Sequence, residues 1–196
     1  MKFHIAAAAA AFVLSTGAHA AVFSDNFNGD TQGTDVTPNG WSLSTGTNDV
    51  DVIGNGFFDF LPGNGLYIDL GGSNGQPGPA VLTSPSFATV AGQAYDVTFE
   101  LAGNQRGAGS DTVTVTFGTT SWTSPVLNSG DGFATFTVSA VGTGSPMTLS
   151  FADSRDGNIG ALLDNVSVST VPEPGNLALM LAGFAALGVV ARRRRG

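Results

Sequence analysis

The chain predicts an all-β protein, an antiparallel β-sandwich of jelly-roll type, and three features of the sequence carry that expectation. Apolar and polar residues alternate with a period of two, as in Tyr95-Asp96-Val97-Thr98-Phe99-Glu100-Leu101, which is the mark of a strand with one buried face. Turns rich in Gly, Asn and Pro punctuate these segments, for example Gly71-Gly72-Ser73-Asn74-Gly75-Gln76-Pro77-Gly78. No amphipathic helical period interrupts them between residues 21 and 171. Roughly ten short strands, each with a single apolar face, bury those faces best as two packed sheets.

In chain order the expected strands are 22–27, 41–45, 49–53, 66–70, 80–84, 95–101, 112–117, 133–140, 147–151 and 161–169. Val113, Val115 and Phe117 alternate with threonines, and Met147, Leu149 and Phe151 alternate with Thr148 and Ser150. The last strand carries an anomaly. In Leu162-Leu163-Asp164-Asn165-Val166-Ser167-Val168 the period of two places Asp164 on the face of Leu162, Val166 and Val168. An ionised carboxylate withdrawn from water needs a hydrogen bond, a cation or a metal. Asp164 therefore binds a metal, accepts hydrogen bonds from loop amides, pairs with Arg155, or is turned outward by a bulge.

Neither terminus belongs to this fold. Lys2, an apolar run over residues 5–14 and Ala18-His19-Ala20 form a signal peptide with cleavage before Ala21. At the other end, Pro172-Glu173-Pro174 precedes the uncharged residues 175–191 and then Arg192, Arg193, Arg194 and Arg195. As a helix that uncharged run would span roughly 25 Å, and guanidinium groups that snorkel to the headgroups complete the fit to a bilayer core of about 30 Å. A cytoplasmic Arg block puts the preceding domain across the membrane. The pairing of signal peptide, tripeptide, apolar helix and Arg cluster resembles the PEP-CTERM sorting class of Gram-negative bacteria. That resemblance implies signal peptidase and an exosortase as partners, transient anchoring in the inner membrane, and release to the cell surface or the exopolysaccharide matrix of a biofilm. The divisions are thus 1–20, 21–171 and 172–196.

The exported portion, 151 residues, is the size of one domain. Arg106 and Arg155 stand against Glu100 and thirteen aspartates, a net charge of −12, which disfavours nucleic acid and suits divalent cations. His4 and His19 are the only histidines, Lys2 the only lysine, and cysteine is absent. Loss of residues 1–20 therefore excludes Ser-His-Asp and Cys-His catalysis, Schiff bases and ordinary zinc sites. Only carboxylate chemistry survives, such as a glycan hydrolase or lyase using Glu100, and no carboxylate pair is marked out for it. The expectation is a non-catalytic protein.

Phe23-Ser24-Asp25-Asn26-Phe27-Asn28-Gly29, Gly40-Trp41, Gly65-Leu66-Tyr67-Ile68-Asp69-Leu70, the strand at 95–101 with Ala102-Gly103-Asn104, and Leu163-Asp164-Asn165-Val166 together resemble the galactose-binding-like jelly rolls, which include several carbohydrate-binding modules. In that superfamily a structural calcium often joins the first and last strands. The resemblance implies Asp164, with Asp25 or Asn28, as Ca²⁺ ligands; calcium prefers such oxygen donors. An extracellular polysaccharide is the implied ligand. It needs an aromatic face and fixed polar groups, for which Trp122, Tyr67, Asn104 and Arg106 are the candidates. A purely structural matrix or adhesion protein is the competing expectation.

Overall fold

The computed structural model describes residues 21–44, 49–172 and 174–193. The signal peptide, with Ala18 and Ala20 of its cleavage site, and Glu173, Arg194 and Arg195 of the tail lie outside the described residues.

The strands are β1 (Ala21–Asp25), β2 (Ser42–Leu43), β3 (Asp51–Gly54), β4 (Leu66–Asp69), β5 (Val81–Thr83), β6 (Ala94–Ala102), β7 (Ser110–Asp111), β8 (Val113–Phe117), β9 (Thr120–Thr123), β10 (Leu127–Asn128), β11 (Ala134–Val141), β12 (Leu149–Asp153) and β13 (Leu162–Thr170). One sheet has the order β11-β6-β13-β4-β3, with β1 also paired to β13; the other has the order β2-β5-β12-β8-β9, and β7 pairs with β10. Every paired strand is antiparallel. All ten anticipated strands are present, with ends displaced by one to a few residues. Three short ones, β7, β9 and β10, escape the alternation rule because two to four residues hold too little of a period to read.

The sheets enclose one apolar core. Tyr95, Val97, Phe99 and Leu101 on β6 alternate buried with half-buried Asp96, Thr98 and Glu100. Phe99 meets the Phe151 ring edge-on at 5.2 Å across the sheets, and Trp41 packs against Phe27 and Phe151. A second, smaller cluster lies on the outer side of the first sheet, where Ile53, Tyr67, Ala102 and Leu162 are roofed by Phe57, Phe60, Leu61 and Phe133. The long 55–65 loop exists to cover this face, because apolar side chains at the β3, β4 and β13 corner would otherwise face water.

That second cluster corrects the expected face of Asp164. The pairing of β13 with β6 slips between Asp164 and Ser167, and Asn165 takes the left-handed conformation at φ 50°. A bulge of this kind inserts a residue and reverses the parity of the strand. Leu163, Val166 and Val168 consequently share the inter-sheet core, while Leu162 joins the outer cluster. Asp164 sits opposite Glu100 on the outer side, yet only 1% exposed.

The tail forms α1 (Pro174–Arg193), with Arg192 and Arg193 in its last turn. Among the described residues no helix is long and apolar enough to cross a membrane. Alanine and glycine supply much of the run, which makes it less apolar than a leucine-rich span.

Candidate functional site

The outer corner of the first sheet carries a cleft of about 310 Å³, bordered by Asp51, Phe58, Phe60, Asp69, Arg106 and Asn158 among others. Its floor follows from strand parity. Val52 and Ile68 enter the main core, so Asp51 and Asp69, which are cross-strand partners, both point to the outer side. Asp69 is 1% exposed and accepts from Gly71 N–H at 2.9 Å, Gly160 N–H at 3.1 Å and the Arg106 guanidinium at 2.6 Å. Burial pushes its carboxyl up to about 7 although Arg106 opposes the shift. Asp51 accepts from Asp35 N–H and from the Ser73 hydroxyl, both at 2.8 Å, and burial raises it too. Arg106 also donates to Asn158 O at 2.8 Å and stacks over the Phe60 ring at 5.0 Å.

Above this polar floor Phe58 stands 58% exposed, its backbone left-handed at φ 43° and its ring edge-on to Phe57 at 4.8 Å. A bulky residue in that conformation is a genuine outlier. Aromatic surface beside fixed carboxylate, guanidinium and amide groups is the chemistry by which a sugar is held, with C–H groups on the ring and hydroxyls on the polar atoms. Nothing in the alternation pattern points to Phe57-Phe58-Asp59-Phe60. The available signal was an aromatic run inside a loop flanked by glycines, where no strand explains it.

Of the four anticipated sugar contacts, only Arg106 borders this cleft. Asn104 is fully buried and knits the neighbouring loop together: its amide donates to Asp111 at 2.8 Å and its oxygen accepts from Ser129 Oγ at 2.7 Å and Arg106 N–H at 3.0 Å. Tyr67 is also fully buried beneath the 55–65 loop. Its hydroxyl donates to Asp59 and accepts from Leu61 N–H, and burial pushes it up to about 12. Trp122 is half-buried and turned inward, 5.8 Å from Phe99 and 5.6 Å from Phe136. Asn104 and Tyr67 are fully buried, with their polar groups taken up by the protein, and neither they nor the half-buried Trp122 borders this cleft.

The anticipated metal ligands separate in the same way. Among the described residues Asp164 accepts only from the Asn165 amide N–H, at 2.7 Å, and side chain, at 3.4 Å. Burial pushes it up to about 7, and the nearby Glu100 and Asp25 charges raise it further. Arg155 does not pair with it; that guanidinium lies 3.4 Å from Asp111. Asp25 accepts from Phe27 N–H at 2.8 Å and Trp41 Nε1–H at 2.7 Å, and borders a second, more open cleft of about 470 Å³ with Asn26 and Asn165. Asn28 is corrected: its Oδ1 caps Leu66 N–H at 2.8 Å on another strand. Among the described residues no group of three acidic side chains stands close enough to hold a metal.

At the tail, residues 170–195 match the PEP-CTERM protein-sorting motif, spanning Pro172, Pro174 and the Arg cluster. The chain carries a PEP-CTERM sorting signal. No curated protein sequence matches it. Among solved structures the chain is similar to the K3 cleaved adhesin domain of Lys-gingipain from Porphyromonas gingivalis w83, at 13% identity and TM-score 0.54 over 76% of this chain and 99% of that one. It is similar to the CBM22-1 xylan-binding domain of Paenibacillus barcinonensis Xyn10C, at 15% identity and TM-score 0.53 over 81% and 99%. The C-terminal family 22 carbohydrate-binding module of Clostridium thermocellum Xyn10B gives 14% identity and TM-score 0.51 over 78% and 96%. At such identity the likeness is one of fold, a jelly-roll sandwich.

Proposed function

We propose that this PEP-CTERM protein is an exported, non-catalytic surface or matrix protein of a Gram-negative bacterium that binds extracellular polysaccharide through the Arg106 cleft. The observation that carries the reading is Phe58, an exposed aromatic ring held in a strained conformation over the Asp51, Asp69 and Arg106 floor. Two of the similar folds are carbohydrate-binding modules, one of them xylan-binding, which supports the ligand class. Glu100 borders neither cleft described above and is occupied by Thr135 and Asn165, which favours binding over hydrolysis. Before processing by the exosortase, α1 and the Arg cluster hold the chain in the inner membrane. A structural Ca²⁺ anchored by Asp164 with Asp25 completes the proposal, supported by a buried carboxylate with no cationic side chain beside it.

The test is a polysaccharide screen with the processed domain and its Phe58→Asn variant. Asn tolerates the left-handed backbone, so the fold is kept while the stacking face is removed. Binding lost in the variant with an unchanged melt supports the cleft; equal binding by both proteins removes it.

A further inference from the structure

The end of the sandwich from which the tail leaves has a composition of its own. Hydrogen bonds hold the chain to the fold right up to the sorting tripeptide: Val171 N–H donates to Ala94 O at 2.9 Å, and Gln93 Nε2 donates to Val171 O at 2.6 Å. Only residues 171–173 separate β13 from α1, a tether of about 10 Å even when extended. Strand pairing gathers Ala21 opposite Ser169, Thr170 opposite Tyr95 and Val141 opposite Ala94 at this end, and Gly92 N–H donates to Gly142 O.

The segments so gathered, 21–22, 90–94 and 141–145, contain no charged residue, in a domain whose net charge is −12. They expose Val90 at 65%, Val141 at 59% and Val22 at 39%. Their nearest carboxylate along β6, Asp96, accepts from the Ser139 hydroxyl at 2.6 Å. Cleavage before Ala21 would add an ammonium group here. Arg155, Asp111 and Asp131 lie toward the opposite end, where β7 pairs with β10.

We infer that this uncharged end, bearing Val22, Val90 and Val141, lies against the surface of the bilayer while the tail is embedded. The inference rests on the membrane-held stage proposed above. A short tether forces some face of an acidic domain close to anionic headgroups. Charge repulsion over a screening length of about 10 Å selects this face, whose gathered segments hold no carboxylate, Glu173 lying in the tether itself. Exposed valines then meet the interface instead of water, and the acidic Arg106 cleft is directed away from the membrane toward the medium.

The absence of cysteine gives a direct test. Single variants Val90→Cys, Val141→Cys and Val126→Cys of the full chain are labelled with a polarity-sensitive dye and reconstituted into vesicles of phosphatidylethanolamine and phosphatidylglycerol. Val126 is 60% exposed at the opposite end and serves as the matched control. Flotation with the vesicles reports the membrane-held stage, and quenching by acrylamide reports the orientation. The expected result is flotation of all three, with quenching severalfold weaker at 90 and 141 than at 126, and equal quenching of the three in the lipid-free chain. Equal quenching on floated vesicles would overturn the orientation alone, and failure to float would overturn the stage on which it depends. Shielding at 90 and 141 without lipid would identify a second copy as the occupant and refute the bilayer.

Discussion

Replacing Asp164 by Asn should stabilise the domain at alkaline pH when divalent cations are removed. The carboxyl is raised from 3.8 to about 7, about three pH units at roughly 1.36 kcal/mol each, which sets an upper bound of about 4 kcal/mol. The sign follows from the raised value: below pH 4 the group is protonated both folded and unfolded and carries no cost. Between about pH 4 and pH 7 the unfolded chain is ionised while the folded one stays protonated, so native stability falls across that window and levels off above it. Asn reproduces the protonated form and keeps an oxygen for the Asn165 amide. Urea denaturation in chelator should therefore give a higher midpoint for Asp164→Asn at pH 8 and nearly equal midpoints for both proteins near pH 4. Excess Ca²⁺ should raise the wild-type midpoint at pH 8 and shrink or reverse the gap, since an amide is a poorer ligand than a carboxylate. An Asp164→Asn midpoint no higher than wild type at pH 8 in chelator would refute the claim that the carboxylate is buried without compensation, and no response of the wild type to Ca²⁺ would remove the metal.

Other perturbations read other parts of the molecule. Arg106→Met strands the buried Asp69 and should cost about 3–5 kcal/mol at pH 8, with a smaller loss at pH 5 where Asp69, pushed up to about 7, takes a proton; paired melts at the two values check this. Trp122→Ala removes the contacts to Phe99 and Phe136 and should lower stability by about 3 kcal/mol, while polysaccharide binding measured well below the melt stays unaltered. Gly54 has φ 113° and an added Cβ would stand within overlap distance of Gly65 O; Gly54→Ala should cost about 4 kcal/mol or more and show as a collapse in soluble yield.

The sandwich was legible because its signal is local. Each of β6, β8, β12 and β13 contains enough alternating residues to reveal its buried face, and the C-terminal sorting signal is a linear string. Burial of Asp164 could be anticipated from the same alternation, but not its face, since a bulge at a single residue, Asn165, reverses the parity of everything before it. The site residues were harder. Asn104, Tyr67 and Trp122 carry the right functional groups, yet what surrounds them, Asp111, Leu61 and Phe136, is set by loop conformation and sheet register rather than by alternation.

By itself the sequence determined the class of fold, the acidic stretch 21–171 free of His, Lys and Cys, and the sorting motif, because composition, period and short motifs are properties of neighbouring residues. Tertiary structure alone decided that Asp51, Asp69 and Arg106 meet beneath Phe58, that Asn28 in the turn after β1 caps Leu66, and that the uncharged segments share the end from which the tail departs. These depend on sheet order and register, which join residues tens of positions apart and are set by how the two apolar faces close on each other.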